Sequence, residues 1–163
     1  MGDFLPAIEN NRGMVKSKSS DLSVAQIPAR VRKAFVRAKS TRRLAYAPYS
    51  EFQVGAAVVT GDGRIYTGCN VENASYGATI CAERVAILKA VSERERQFTD
   101  VVVVTEATQP AFPCALCLQM MAEFLRPEAR VWVADIRSIR SMHTFSELLP
   151  KPFGPRQLRE AGK

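Results

Sequence analysis

Two short stretches hold the residue types that do chemistry: Cys81-Ala82-Glu83-Arg84 and Pro113-Cys114-Ala115-Leu116-Cys117. A Cys-x-x-Cys pair is a redox dithiol, half of a disulfide framework or two metal ligands, and the spacing alone leaves these open. The first stretch narrows the choice. Both place a cysteine where a helix is predicted to begin, and backbone N–H groups at a helix start are unpaired and favour anions. That setting stabilises the thiolate, the form that binds zinc. Three thiolates would leave one tetrahedral position open for water, the pattern of a catalytic zinc site. Glu83, in the first turn after Cys81, is placed to reach a water held there. Arg84 returns to the face of Cys81 and offsets the net negative charge of three thiolates around Zn²⁺. A glutamate that is not itself a ligand can then move protons to and from that water. A redox pair would leave Cys81-Ala-Glu-Arg unexplained. Three ordinary core cysteines would not each be expected to sit at a helix start.

The other candidates fall away by count. The chain has one histidine, His143, so no His-x-Glu motif exists and no Ser/His/Asp or Cys/His triad forms without that residue. His143 lies in a polar setting and reads as a surface residue. Cys69, without a spacing partner, reads as structural.

The elements that must position these residues are legible from periodicity. Val24, Ile27, Val31, Phe35 and Ala38 recur at helical spacing and predict a helix from Val24 to Ala45, with Pro28 in its first turn. Arg30, Lys33, Arg37 and Lys39 form its solvated face. Residues 52–60 and 64–70 read as strands joined through Gly-Asp-Gly at 61–63, a hairpin turn in which glycine tolerates positive φ. Helices are predicted at 81–93 and 114–125, and strands at 101–106 and 130–135. A short edge strand and a helical turn capped by Ser146 follow, and then a short C-terminal helix. A hairpin followed by alternating helices and strands predicts one α/β sandwich around a mixed sheet.

Composition bounds the rest. With 163 residues and 47% hydrophobic content, the chain fits one domain with a sizeable core. Residues 1–23 are polar and aperiodic and read as a flexible leader; residues 24–163 read as the domain. The net charge is +7. Ten Lys or Arg against three Asp or Glu fall in residues 1–50, and the remainder is neutral. That bias fits a nucleic-acid patch or, more simply, a basic leader and a solvated helix face. No apolar run spans a membrane. No secretory signal is read in Met1–Asn10, which carries Asp3 and Glu9, and Pro6 stands where a myristoylation motif needs Ser or Thr. A reduced, cytoplasmic compartment is expected, which favours metal binding over disulfides.

A family resemblance is plain in these residues. The run from Ala45 to Ile87, the stretch Pro113–Phe124 and Ser146–Leu158 resemble the small homotetrameric cytidine deaminases, with similarity extending from about Ile27 to Leu158. The resemblance implies a three-layer α/β/α sandwich around a five-stranded mixed sheet and a homotetramer. It implies that Cys81, Cys114 and Cys117 hold Zn²⁺ and that Glu83 moves protons. Asn70 and Glu72 would bond the ribose 3′-hydroxyl, Phe52 would lie beside the nucleoside, and the backbone of Ala82 would help hold the pyrimidine. Phe153 would reach a neighbouring subunit's site, and Tyr76 would contact the ribose across a subunit boundary. The implied reaction is hydrolytic deamination of cytidine and 2′-deoxycytidine to uridine and 2′-deoxyuridine, in pyrimidine salvage. The chain departs from the family at Ala115, usually Gly, and at Leu118, usually Arg. Leu118 removes a cation beside the zinc-binding helix. Three other readings are weighed. A modified cytosine nucleoside such as blasticidin S is one. A nucleic-acid-editing deaminase is another, against which Cys81 stands where such enzymes mostly have His. A non-catalytic binding module is the third, against which the intact Cys81, Glu83, Cys114 and Cys117 set stands.

Overall fold

The computed structural model describes residues 26–107 and 111–160; the predicted leader, 1–23, lies outside them. The first helix is α1, Ala29–Arg42, and the hairpin follows as β1, Gly55–Thr60, and β2, Ile65–Cys69. Next come α2, Ala82–Ser92, β3, Phe98–Thr105, and α3, Ala115–Met121. The chain then forms β4, Leu125–Asp135, β5, Ile139–Thr144, α4, Phe145–Leu148, and α5, Pro155–Glu160. The five strands make one sheet in the order β2-β1-β3-β4-β5. Only the β3–β4 pair is parallel, so the sheet is mixed as expected.

Two cores, one on each face, give the predicted three layers. On one face Val31, Ala34 and Ala38 of α1 cover Ala57, Val59, Val102, Val104 and Trp132. On the other, Ala86, Ile87, Ala90, Cys117 and Met121 cover Val58, Val101, Val103 and Val131. The valines of β3 alternate between the faces, which is why this strand reads as an unbroken apolar run rather than an alternating one.

Strand directions gather the functional ends. β1 runs antiparallel to both β2 and β3, so β2 and β3 point the same way. Their C-terminal ends therefore lie at one end of the sheet, where α2 and α3 begin, the location at which open α/β sheets bind ligands.

Several boundaries differ from expectation, each for a local reason. α1 starts at Ala29, not Val24: Pro28 has ψ 145° and lies outside the helix as its cap. Its carbonyl accepts from Val31 N at 2.9 Å and Arg32 N at 3.0 Å. Arg30 is not simply solvated; its Nε donates to Asp100 at 3.0 Å. Asp100 is fully buried and also accepts from Trp132 Nε1 at 2.9 Å and Arg130 at 2.9 Å, pinning α1 to the sheet. β1 starts at Gly55, not residue 52, because the Asn70 side chain takes over the backbone of 52–54. β3 begins at Phe98, which pairs with Leu125 of β4, so α3 stops at Met121 and β4 begins five residues earlier than predicted. The last cap is Thr144 rather than Ser146, in a capping box whose Glu147 accepts from Thr144 N at 2.7 Å. The hairpin turn is as predicted, with Gly63 at φ 88°.

Gly68 matters for the site. A Cβ there would lie 2.5 Å from both Ala82 O and Ala86 N, so only glycine lets β2 approach the first turn of α2 this closely. Gly68→Ala is expected to destabilise by about 2–3 kcal/mol, since the obstructing atoms are backbone and cannot swing away. A thermal melt should show a fall of roughly 5–10 °C; an unchanged melting temperature would mean that α2 sits loosely on β2.

Candidate active site

Each predicted ligand occupies a defined position. Cys81 caps α2 and Cys114 caps α3, both in extended backbone, and Cys117 is one turn into α3. Thirty-three residues separate the first two, yet their sulfurs lie 3.9 Å apart. Cys114 Sγ and Cys117 Sγ are 3.6 Å apart. All three lie within 4.8 Å of one another. Tetrahedral zinc at about 2.3 Å from each sulfur requires sulfurs about 3.8 Å apart, so the cluster is sized for that ion and its donor chemistry suits it. The thiols are already uneven in acidity. Cys81 is held down to about 5, chiefly by the Cys117 thiol and further by Arg84, and the same pairing pushes Cys117 up.

Arg84 donates to Thr79 O at 2.7 Å and lies 4.0 Å from Cys81 Sγ. That is where a counter-charge for the thiolates belongs. Leu118 packs against the core that covers α2 and α3, so an apolar side chain at this position is accommodated by packing.

Glu83 is 4% exposed. It sits in the first turn of α2, where the helix end favours a carboxylate, yet burial outweighs that and raises it to about 7. It lines a cavity of about 210 Å³ together with Cys81, Cys114, Phe52, Asn70 and Glu72. A larger cavity, about 570 Å³, lies at the opposite end of β3, around Phe98, Arg126 and Arg130, and contains none of the candidate chemistry.

The expected substrate contacts divide into groups. Asn70 is buried and braces the cavity wall: its Oδ1 accepts from Val54 N at 2.8 Å and its Nδ2 donates to Phe52 O at 2.9 Å. One N–H and one lone pair of the carboxamide remain for a ligand. Glu72 accepts from Ser50 Oγ, from Tyr49 N at 2.9 Å and from Ser50 N at 3.2 Å. Those bonds, the Ser50 hydroxyl first, hold its carboxyl below the usual range. The structure thus keeps Glu72 ionised and fixed as an acceptor.

Ala82 is fully buried as the first residue of α2, so what it can offer a ligand is its backbone N–H. Tyr76 is 77% exposed and packs edge-on against Tyr49 at 6.2 Å, over a hollow that shares Ser50, Glu72 and Thr79 with the main cavity. Phe153 is exposed, away from the cavity, with its carbonyl accepting from Gln119 Nε2 at 2.8 Å. His143 pairs with Ser141 Oγ at 3.0 Å and its ring meets Phe112 edge-on at 5.1 Å. Cys69 ends β2, outside the sulfur cluster.

Sequence reading missed part of the lining. Ser50, Thr79, Thr105 and Phe112 all face the cavity. Ser50, Thr79 and Phe112 lie in loops whose path no periodicity reveals. Thr105 was findable: it continues the period-two face of Val101 and Val103 one step beyond the apolar run.

Comparison with known proteins agrees with this geometry. Residues 29–133 match the family model of the cytidine and deoxycytidylate deaminase zinc-binding region. A cytidine deaminase of Sporosarcina psychrophila is 41% identical over 133 residues, covering 82% of this chain and 98% of that protein. One from Halalkalibacterium halodurans is 46% identical over 112 residues, covering 69% and 85% respectively. Among solved structures, the cytidine deaminase of Burkholderia pseudomallei superposes with a TM-score of 0.71 at 42% identity, covering 75% of this chain and 98% of that one.

Proposed function

The chain belongs to the cytidine and deoxycytidylate deaminase family, and from that premise we infer that it hydrolyses the exocyclic amino group of cytidine, giving uridine and ammonia. 2′-Deoxycytidine is read as a second substrate. One observation carries this reading: three cysteine sulfurs lie at zinc-binding separations, and two of them, Cys81 and Cys114, line the same cavity as a buried glutamate.

Cys81, Cys114 and Cys117 would hold the zinc. When bound, the ion supplies the Lewis acidity that makes water acidic near neutral pH. Glu83 has the position and the proton affinity to carry two protons in turn: one from the attacking water to the ring nitrogen N3, where it stays in uridine, and then the remaining hydroxyl proton on C4 to the amine, which departs as ammonia. Its burial keeps bulk water from competing for that proton. Arg84 balances the thiolates. Phe52 offers a flat apolar wall to the pyrimidine. Asn70 and Glu72 take the ribose hydroxyl, which both donates and accepts.

A homotetramer fits two exposed aromatic residues, one beside the cavity and one away from it. Tyr76 and Phe153 present rings to solvent that a neighbouring copy would cover. A cytoplasmic location fits a cluster of reduced cysteines committed to metal. Among the described residues no helix is long and apolar enough to cross a membrane. A small cavity suits a free nucleoside rather than a polymer.

The test is zinc content per chain together with the ultraviolet change on adding cytidine, 2′-deoxycytidine or blasticidin S. About one zinc per chain and a change with the two plain nucleosides is expected. A response to blasticidin S alone would replace the substrate assignment, and no response to any of them would overturn the reading.

A further inference from the structure

β3 runs through four consecutive valines and then places a threonine, Thr105, at its C-terminal end. The side chain continues the face of Val101 and Val103, the face that α2 and α3 cover. It is 1% exposed, and its Oγ1 has no hydrogen-bond partner among the described residues. A hydroxyl buried without a partner is destabilising, and valine has almost the same shape without that penalty. Packing alone would favour a fifth valine. The hydroxyl is not stranded in the core, however: Thr105 lines the cavity that also holds Glu83, Cys81 and Cys114.

We propose that Thr105 is a substrate-binding residue whose hydroxyl hydrogen-bonds the polar edge of the bound pyrimidine. This rests on the deaminase reading above. A neutral hydroxyl on a sheet floor recognises a neutral edge carrying both donors and acceptors, as an amide-like pyrimidine ring does. The sugar hydroxyls have their partner in Glu72, held by Ser50 and Tyr49 at the exposed end of the cavity. The base is therefore the group left for Thr105. Deamination exchanges donor and acceptor at N3 and C4 but leaves the C2 carbonyl, and a hydroxyl can donate or accept, so the bond contributes to binding substrate and product alike rather than to the chemical step.

The experiment compares Thr105→Val, Thr105→Ala and Thr105→Ser in the zinc-loaded enzyme, measuring KM and kcat for cytidine, the inhibition constant of uridine, and the melting temperature. Val and Ala are expected to raise KM and the uridine constant together by about three- to tenfold, the worth of one neutral hydrogen bond, with kcat within about twofold of wild type. Thr105→Val should melt no lower than wild type, since it removes an orphaned hydroxyl while keeping the shape. Thr105→Ser should keep both constants near wild type. Wild-type constants in the Val and Ala variants would overturn the proposal, as would a Ser variant shifted as far as the Val variant. If Val fails to fold, the Ala–Ser contrast decides. A wild-type enzyme inert to cytidine would remove the deaminase reading and this inference with it; an active wild type with an unchanged Val variant would remove this inference alone.

Discussion

Glu83→Gln is expected to abolish turnover of cytidine while leaving zinc content and melting temperature near those of wild type. Gln has the shape of Glu, so the packing at the start of α2 survives. It cannot take up and return a proton at neutral pH. The wild-type carboxyl is 4% exposed, and burial raises it to about 7, where gaining and losing a proton are nearly balanced. A positioned acid–base group contributes about 10²–10⁴ in rate. Here one carboxyl serves several transfers in a single turnover, so a loss at the upper end, about 10⁴-fold, is expected. The metal should stay, because the proposed ligands, Cys81, Cys114 and Cys117, do not include Glu83. Steady-state kinetics beside a zinc assay separates the two effects. Activity within tenfold of wild type would remove Glu83 from the reaction. Lost zinc would show that its role is to support the cluster.

Cys114→Ala should abolish activity by the other route, with zinc falling from about one per chain to near zero. Cys114 is the most informative of the three to replace. Cys117 is fully buried, and its substitution would confuse metal loss with a core cavity. Cys114 is exposed, so losing its sulfur costs little packing. Its Sγ is 3.9 Å from Cys81 and 3.6 Å from Cys117, and removing it takes out the thiol that neighbours both others. Two thiolates remain, below the three protein ligands of a catalytic zinc site. The melting temperature should fall with the metal, because an ion that binds only the folded chain stabilises it. Cys69→Ala is the matched control: Cys69 ends β2 outside the cluster, and its loss should leave zinc and activity intact. Full zinc in the Cys114 variant, or lost zinc in the Cys69 variant, would redraw the ligand set.

Leu118 shows how a departure from a family pattern can be settled by surroundings. The resemblance implies an Arg at this position, a cation beside the zinc-binding helix. In the fold Leu118 packs on the core of the α2–α3 face, and Arg84, 4.0 Å from Cys81 Sγ, is the charge beside the cluster. Asn70 shows the reverse. It reads as a ribose ligand, yet much of its hydrogen bonding goes to the backbone of Phe52 and Val54, which holds the cavity wall in place. The sequence offers no sign of that second task, because its partners lie 16 and 18 residues away.

What the sequence determined by itself was local. Helix starts at Cys81 and Cys114, the Cys-x-x-Cys spacing, Glu83 two residues after its ligand and the glycine turn between β1 and β2 all follow from rules that act within a few residues. Boundaries failed where a distant partner intervened. Leu125 was claimed by Phe98 for the sheet, and residues 52–54 were held by Asn70. The site itself was decided only by the tertiary structure. Cys81 meets Cys114 because β1 reverses both β2 and β3, which brings their C-terminal ends, and the helices that leave them, to one end of the sheet. Burial of Glu83 and the orphaned hydroxyl of Thr105 follow from that same packing. Neither is a property of the residue or its neighbours in sequence; both depend on which surfaces are removed from water when the layers close.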